Sequence, residues 1–337
     1  MRNIVVFIDG TAQDRSKQEL KDMTNVARLH EACRHLSHDN VVQKVRYCKG
    51  VGTGVHESFS GGAFGIGLEK RIIEGYLFLQ QEVGMAKTNN EPFKIFLFGF
   101  SRGAFAVRWL AEVIAFSGIP VMGQSERPGI LNLWRNDKDS AKNLRKSGLQ
   151  YDVDVEMIGV WDTVQSTTTE DFGVKDLPAN ATAAYHAMAL DEFRSKFPVT
   201  RFNPRKGIRE LWFVGCHADV GGGYEDGRLT ADTALRWMID MARIHKLLVD
   251  DTKLDLGQQD NIKPEIHDEL KAKGLMGFIW RFINWIRHEK HDVRKVETGD
   301  YLHPTVNLWN EQYGILHEQD ISNCYDWKPN DTQFMIA

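Results

Sequence analysis

A serine becomes a nucleophile when its hydroxyl stands clear of the backbone and a base can reach it. Ser101 sits in Gly99-Phe100-Ser101-Arg102-Gly103, after the apolar run 94–99 and before the helix-forming stretch 104–117. A sharp strand-to-helix turn needs small residues two before and two after its serine, because the backbone crosses itself closely there. The hydroxyl then projects above a sheet, and the N–H of Arg102 faces a developing oxyanion at a helix N-terminus. Acyl transfer through a covalent serine intermediate is the chemistry this spacing allows.

The serine needs a base, and the base needs a carboxylate to fix its tautomer. Two assignments keep the chain order Ser, Asp, His: Ser101 with Asp162 and His217, or Ser101 with Asp219 and His303. Asp162 ends the apolar run 155–161, and His217 opens His217-Ala-Asp219-Val-Gly-Gly-Gly-Tyr224. His303 stands at a loop start in Tyr-Leu-His-Pro. With twelve histidines in the chain, a structural histidine competes with either assignment, and both stay open on the residues alone.

Asp9-Gly10-Thr11 closes the first apolar run, so the N–H groups of Gly10 and Thr11 join that of Arg102 as oxyanion-hole candidates. The same stretch is no phosphatase Asp-x-Asp-Gly-Thr motif, because Phe7 stands where the nucleophilic aspartate would be. Gly221-Gly222-Gly223 lacks the Lys-Ser/Thr that completes a phosphate loop. The four cysteines (Cys33, Cys48, Cys216, Cys324) are widely spaced without a Cys-x-x-Cys pair. Free thiols are expected, with no metal site and no cofactor.

These residues must be carried by elements of the right kind. Short apolar runs at 3–8, 41–48, 94–99, 155–161 and 211–215 predict strands buried on both faces. Helices are predicted over 24–36, 68–85, 104–117 and 230–248, with helical potential around 131–144. Their alternation predicts an α/β fold, a mostly parallel sheet with helices on both faces. Functional groups of such sheets collect at the carboxyl ends of the strands. One domain is expected from 1–249 plus 296–337, with 250–295 as a helical cap or membrane-facing insertion. Inside that insertion Phe278, Trp280, Phe282 and Trp285 belong to an apolar, basic-flanked helical stretch, 275–286. It suits a lid or an interfacial helix, and equally a helix packed into the core.

Forty-two per cent hydrophobic and 26% charged residues describe an ordinary globular chain, and a net charge of −4 offers nucleic acid no general attraction. The N-terminal apolar run is too short for a signal peptide, and no stretch reaches membrane-span length. The chain is expected in the cytoplasm as synthesised, with any export needing no cleaved signal.

Several stretches in order resemble one family. They are Phe7-Ile-Asp-Gly-Thr11, Gly50-Val-Gly-Thr53, Gly62-Ala-Phe-Gly65, Phe96-Leu-Phe-Gly-Phe-Ser-Arg-Gly-Ala104, Gly159-Val-Trp-Asp-Thr-Val164, His186-Ala-Met-Ala-Leu-Asp-Glu192 and Gly215-Cys-His-Ala-Asp-Val-Gly-Gly-Gly-Tyr224. The set, from about residue 3 to 224, resembles the α/β-hydrolase lipases whose best-known members are type VI secretion phospholipase effectors. Ala12 departs from it, standing where the family usually has a bulky aromatic. The resemblance implies an α/β-hydrolase fold and a serine lipase without cofactor, and by position it favours Ser101, Asp162 and His217. A lipid or acyl-ester substrate, peripheral membrane contact and an immunity or secretion partner protein follow from it. The expected function is cleavage of carboxylic esters in phospholipids. A soluble esterase or thioesterase, and a non-catalytic scaffold, are the competing readings.

Overall fold

The computed structural model describes residues 1–10, 13, 22–34, 36–38, 40–50, 61–121, 150–165, 174–226, 228–254, 256, 263–269 and 291–328, with backbone alone for 61–66. The predicted helix around 131–144 and the stretch 275–286 lie outside these residues, as does most of the predicted cap.

In chain order the elements are β1 (Arg2–Ile8), α1 (Asn25–Cys33), β2 (Ser37–His38), β3 (Val41–Cys48), α2 (Gly61–Thr88), β4 (Phe93–Phe100) and α3 (Arg102–Ser117). There follow β5 (Ile119–Pro120), β6 (Gln150–Tyr151), β7 (Val155–Trp161), β8 (Ala181–Ala189) and β9 (Ile208–Phe213). The last are α4 (His217–Gly221), α5 (Arg228–Ile244), β10 (Tyr301–Leu302), α6 (Thr305–Tyr313) and β11 (Tyr325–Asp326). Nine strands form one sheet in the order β11-β10-β9-β8-β7-β4-β1-β3-β2. Every pairing in it is parallel except β2 with β3 at the edge. The fold is α/β, a mostly parallel sheet with helices on both faces, as expected.

Strand alternation sorts the core into two layers. Ile4, Val6 and Ile8 of β1, with Ile95 and Leu97 of β4, face α2 and α3, against Ile72, Leu79 and Leu110. Val5 and Phe7, with Phe96, Phe98 and Phe100, face α1 and α5, against Leu29, Trp237 and Met238. A strand buried on both faces has no polar side to show, which is why β1, β4 and β7 read as largely apolar runs. Gly159 of β7 stands opposite Phe98, and a Cβ there would lie 2.5 Å from that ring. The glycine makes the aromatic layer possible.

The structure differs from expectation at β8, which the pattern of apolar runs leaves out. Its sequence, Ala-Thr-Ala-Ala-Tyr-His-Ala-Met-Ala, is built from small residues, yet all but Thr182 are buried between β7 and β9. Alanine lacks strand propensity, so the space between two helix layers selects these residues. The last long strand also begins earlier than expected, at Ile208, and ends at Phe213. All four cysteines are free thiols.

Candidate active site

β4 ends in a turn that only a particular set of residues can make. Ser101 has φ 57° and ψ −121°, a strained backbone for a residue other than glycine. Two contacts explain the flanking glycines. A Cβ on Gly99 would meet the Gly103 carbonyl oxygen at 2.5 Å, and one on Gly103 would meet the Ile8 carbonyl oxygen at 2.1 Å. The turn is tied from the other side by Ser101 N–H donating to Trp161 O at 3.0 Å. Its side chain therefore leaves the carboxyl end of the sheet as α3 begins.

The neighbouring strand ends supply the rest. Asp162 follows β7 with φ 39° and is fully buried. His217 is the first residue of α4, reached by the turn after β9. His217 Nδ1 lies 2.5 Å from Asp162 Oδ2, and His217 Nε2 lies 2.8 Å from Ser101 Oγ. Because an ionised carboxylate only accepts, Nδ1 carries the proton and Nε2 is left to accept from the serine hydroxyl. The ring is held between Phe100, with centroids 4.6 Å apart, and Phe197, at 5.2 Å. Its backbone N–H donates to Glu192 Oε2.

Electrostatics keep these groups in complementary states. Burial opposes charge on Asp162, but Arg294 and His217 outweigh it and hold the carboxyl well below its ordinary value. Burial pushes His217 below its ordinary value, against the pull of Asp162 in the other direction. The carboxylate is thus ionised while the imidazole is neutral, the pairing a general base requires.

The other expected residues are distributed differently. Gly10 lies against the turn, where a Cβ would be 3.6 Å from Ser101 Cβ. Its N–H, however, donates to Asp9 Oδ1 at 2.7 Å, so it does not face an oxyanion site as expected. Asp9 folds back because its buried carboxyl needs donors, and Tyr47 and Thr24 hydroxyls supply two more at 2.6 and 2.7 Å. Burial still pushes that carboxyl up to about 6. Thr11 lies outside the described residues. Arg102 opens α3 directly after Ser101, and burial pushes its guanidinium down to about 9.

Asp219 and His303 do not join Ser101. Asp219 accepts from Cys216 N–H at 2.9 Å and pairs with His267 Nδ1 at 2.7 Å, closing the first turn of α4. His303 stacks on Phe213 with centroids 4.7 Å apart and pairs its Nδ1 with the Thr305 hydroxyl at 2.8 Å. Both hold structural contacts away from Ser101. Phe278, Trp280, Phe282 and Trp285 lie outside the described residues.

Three residues that the sequence did not single out as site residues complete the surroundings. Arg294 grips Asp162, and Glu192 is held by Arg194 at 2.7 Å. Phe197, beneath the Arg194 guanidinium at 3.7 Å, closes one side of His217. Glu192 was within reach as the end of the His186–Glu192 stretch. Arg294 was not, since it stands 132 residues from its partner. Among the described residues Asp226, Glu265 and His267 bring donor atoms within 4.8 Å of one another, at a largely exposed place. His267 Nε2 there is 3.4 Å from Asp226, an ion pair.

Comparison with known proteins shows the family of the chain. The uncharacterized protein YEL023C of Saccharomyces cerevisiae is 26% identical over 244 residues, which are 63% of this chain and 34% of that protein. The chain thus spans about a third of that relative's length. Among solved structures, the Tle1 effector bound to the VgrG spike of the type VI secretion system aligns over 88% of this chain and 81% of its own, at 16% identity and TM-score 0.48. An uncharacterized protein from Pseudomonas aeruginosa aligns over 83% of this chain and 52% of its own, at 17% identity and TM-score 0.43. The family described as "T6SS, Phospholipase effector Tle1-like, catalytic domain" matches residues 2–241, a span containing Ser101, Asp162 and His217. The chain belongs to this Tle1-like phospholipase effector family.

Proposed function

We propose that the chain is a serine ester hydrolase that cleaves acyl esters of phospholipids. Ser101 Oγ attacks the acyl carbonyl, His217 Nε2 takes its proton, and Asp162 orients the imidazole and stabilises its charged form. The proton then passes from His217 to the leaving alcohol, and water repeats the sequence on the acyl-serine. The oxyanion falls to the N–H of Arg102 at the start of α3, where the helix dipole adds to it. The observation that carries this reading is the relay from Ser101 Oγ to His217 Nε2 at 2.8 Å and from His217 Nδ1 to Asp162 Oδ2 at 2.5 Å, built on a strained strand-to-helix turn.

The lipid substrate is supported by the family match. So is delivery by a type VI apparatus to another cell, with a secretion or immunity protein as partner. No helix among the described residues is long and apolar enough to cross a membrane.

A fluorophosphonate probe tests the chemistry: it should label the wild-type chain and leave Ser101→Ala unlabelled. Labelling that survives the substitution sinks the assignment. Fatty acid release from phospholipid vesicles, beside hydrolysis of a short-chain soluble ester, tests the substrate. A clear preference for the soluble ester would replace the phospholipase by an esterase.

A further inference from the structure

Residues 291–294 lie along the loop after β8. His291 bridges Arg194 in antiparallel fashion, Asp292 N–H donates to Phe193 O at 2.8 Å, and the His291 ring stacks on Phe193. This seating delivers Arg294 to Asp162. Arg294 Nη1 donates to Asp162 Oδ1 at 2.6 Å and Nη2 to Oδ2 at 2.9 Å. The same guanidinium donates to Ala189 O at 2.7 Å and Phe197 O at 2.8 Å. With Ala189 N–H on Oδ1 and His217 Nδ1 on Oδ2, the carboxylate accepts four hydrogen bonds. All its lone-pair directions are used.

We propose that Arg294 is a positioning residue for the hydrolysis: it fixes the plane of the Asp162 carboxylate and, by sharing Oδ2 with His217, tempers the basicity that carboxylate lends to the imidazole. The inference rests on the serine-hydrolase reading above. A carboxylate that faces only a histidine spends its whole charge on the imidazolium formed during attack. Here a guanidinium bonded to both oxygens offsets much of that charge, and the imidazolium is correspondingly less stabilised. His217 remains a neutral base in more acidic solution, at the cost of being a weaker one.

The other charged groups facing the imidazole do not overturn this balance. Glu192, which accepts from the His217 N–H, is paired with Arg194, and Arg194 also approaches Glu269 at 3.8 Å. Arg194 pushes the imidazole down and Glu192 pulls it up, so the two act in opposite senses. Arg294 also fixes Phe197 through its carbonyl, and Phe197 packs edge-on against His217. One side chain thus places both the acid and a wall of the base.

The test reads the imidazole directly. NMR titration of the full chain with isotope-labelled histidine, assigned by loss of the signal in His217→Ala, should show His217 titrating below 6.5 in the wild type. Arg294→Met should raise that midpoint by about one pH unit. The acid limb of kcat/KM for ester hydrolysis should move up with it, and kcat should fall roughly tenfold or more as the carboxylate loses its orientation. Arg294→Lys keeps the charge but loses the two-pronged grip, so its midpoint stays near wild type while kcat falls.

A wild-type midpoint at or above 6.5, or an unmoved midpoint in folded Arg294→Met, overturns the proposal. Should Arg294→Met fail to fold, Arg294→Lys decides: undiminished kcat removes the positioning role. The titration needs no turnover, so it stands apart from the fluorophosphonate test of Ser101.

Discussion

Two histidine–carboxylate pairs among the described residues, His217 with Asp162 and His186 with Glu210, each carry an arginine on the carboxylate, and one of these two faces a nucleophile. His217 Nδ1 meets Asp162 at 2.5 Å, and His186 Nδ1 meets Glu210 at 2.8 Å. Burial pushes both imidazoles below their ordinary value, and an arginine accompanies each carboxylate: Arg294 for Asp162, Arg201 for Glu210. The difference lies at Nε2. In His186 it accepts the backbone N–H of Thr163 at 3.0 Å, whereas in His217 it meets Ser101 Oγ at 2.8 Å.

Position in the sheet causes this. His186 lies within β8, whose backbone is hydrogen-bonded to β7 on one side and β9 on the other. His217 lies past the end of β9, where the backbone has left the sheet. The arginines differ as well. Arg201 and His186 take separate oxygens of Glu210, while Arg294 and His217 share Oδ2 of Asp162. A histidine–carboxylate pair is fit for catalysis when its second nitrogen is left to a reacting group; otherwise it is a cross-link.

The sharpest way to break this comparison is to delete each side. Ser101→Ala and His217→Ala should each lower ester hydrolysis on the order of 10³-fold or more at unchanged melting temperature, because such residues act as a unit. His186→Gln should leave turnover per folded molecule within a few-fold. Equal losses from the two histidine variants, in proteins of equal stability, would end the distinction.

A smaller effect is expected from the turn that brings the serine to the base. Gly103→Ala sets a methyl 2.1 Å from Ile8 O and 2.5 Å from Asp9 O, contacts with backbone that cannot swing aside. It should cost about 1–3 kcal/mol or more in denaturant unfolding, as overpacking does, and reduce hydrolysis with it. Full activity at wild-type stability would mean the turn relaxes more freely than its contacts imply. His186→Gln, by contrast, should show its cost in stability alone, about 1–3 kcal/mol from the partners it leaves unmatched in Glu210 and Thr163.

The smallest effect separates His303 from the site altogether. Burial pushes its imidazole down to about 3 from an ordinary 6.5. Between those values the unfolded chain binds a proton that the folded chain does not, so stability falls as pH drops below 6.5. His303→Phe keeps the stack on Phe213 and removes that proton. From pH 7 to 5 it should lose about 2 kcal/mol less stability than the wild type, with little change in turnover. An identical pH dependence would show that His303 does not carry the acid sensitivity.

Much of this was legible in the residues. Strands buried on both faces cannot alternate, so β1, β4 and β7 announced themselves as apolar runs, and Gly99 and Gly103 around Ser101 announced the turn. The alanine-rich β8 was not legible, because its residues are selected by the space between the helix layers on the two faces of the sheet. Asp162 and His217, 55 residues apart, were one of two pairs that satisfied chain order. Order along the chain carries no distance, so it left the rival pair open, and the family resemblance favoured this one by position.

The sequence by itself determined the local chemistry: a nucleophile on a turn that demands glycine, and polar groups where apolar strands stop. Those properties depend on residues near one another in the chain, through backbone sterics and burial. Which carboxylate met which histidine was decided by the tertiary structure, since strand order sets Asp162 beside Ser101 and sends Asp219 to His267. The guanidinium of Arg294 on Asp162 belongs to the same class. It arrives from 132 residues away, and no local pattern encodes a contact that exists only once the sheet and its loops have packed.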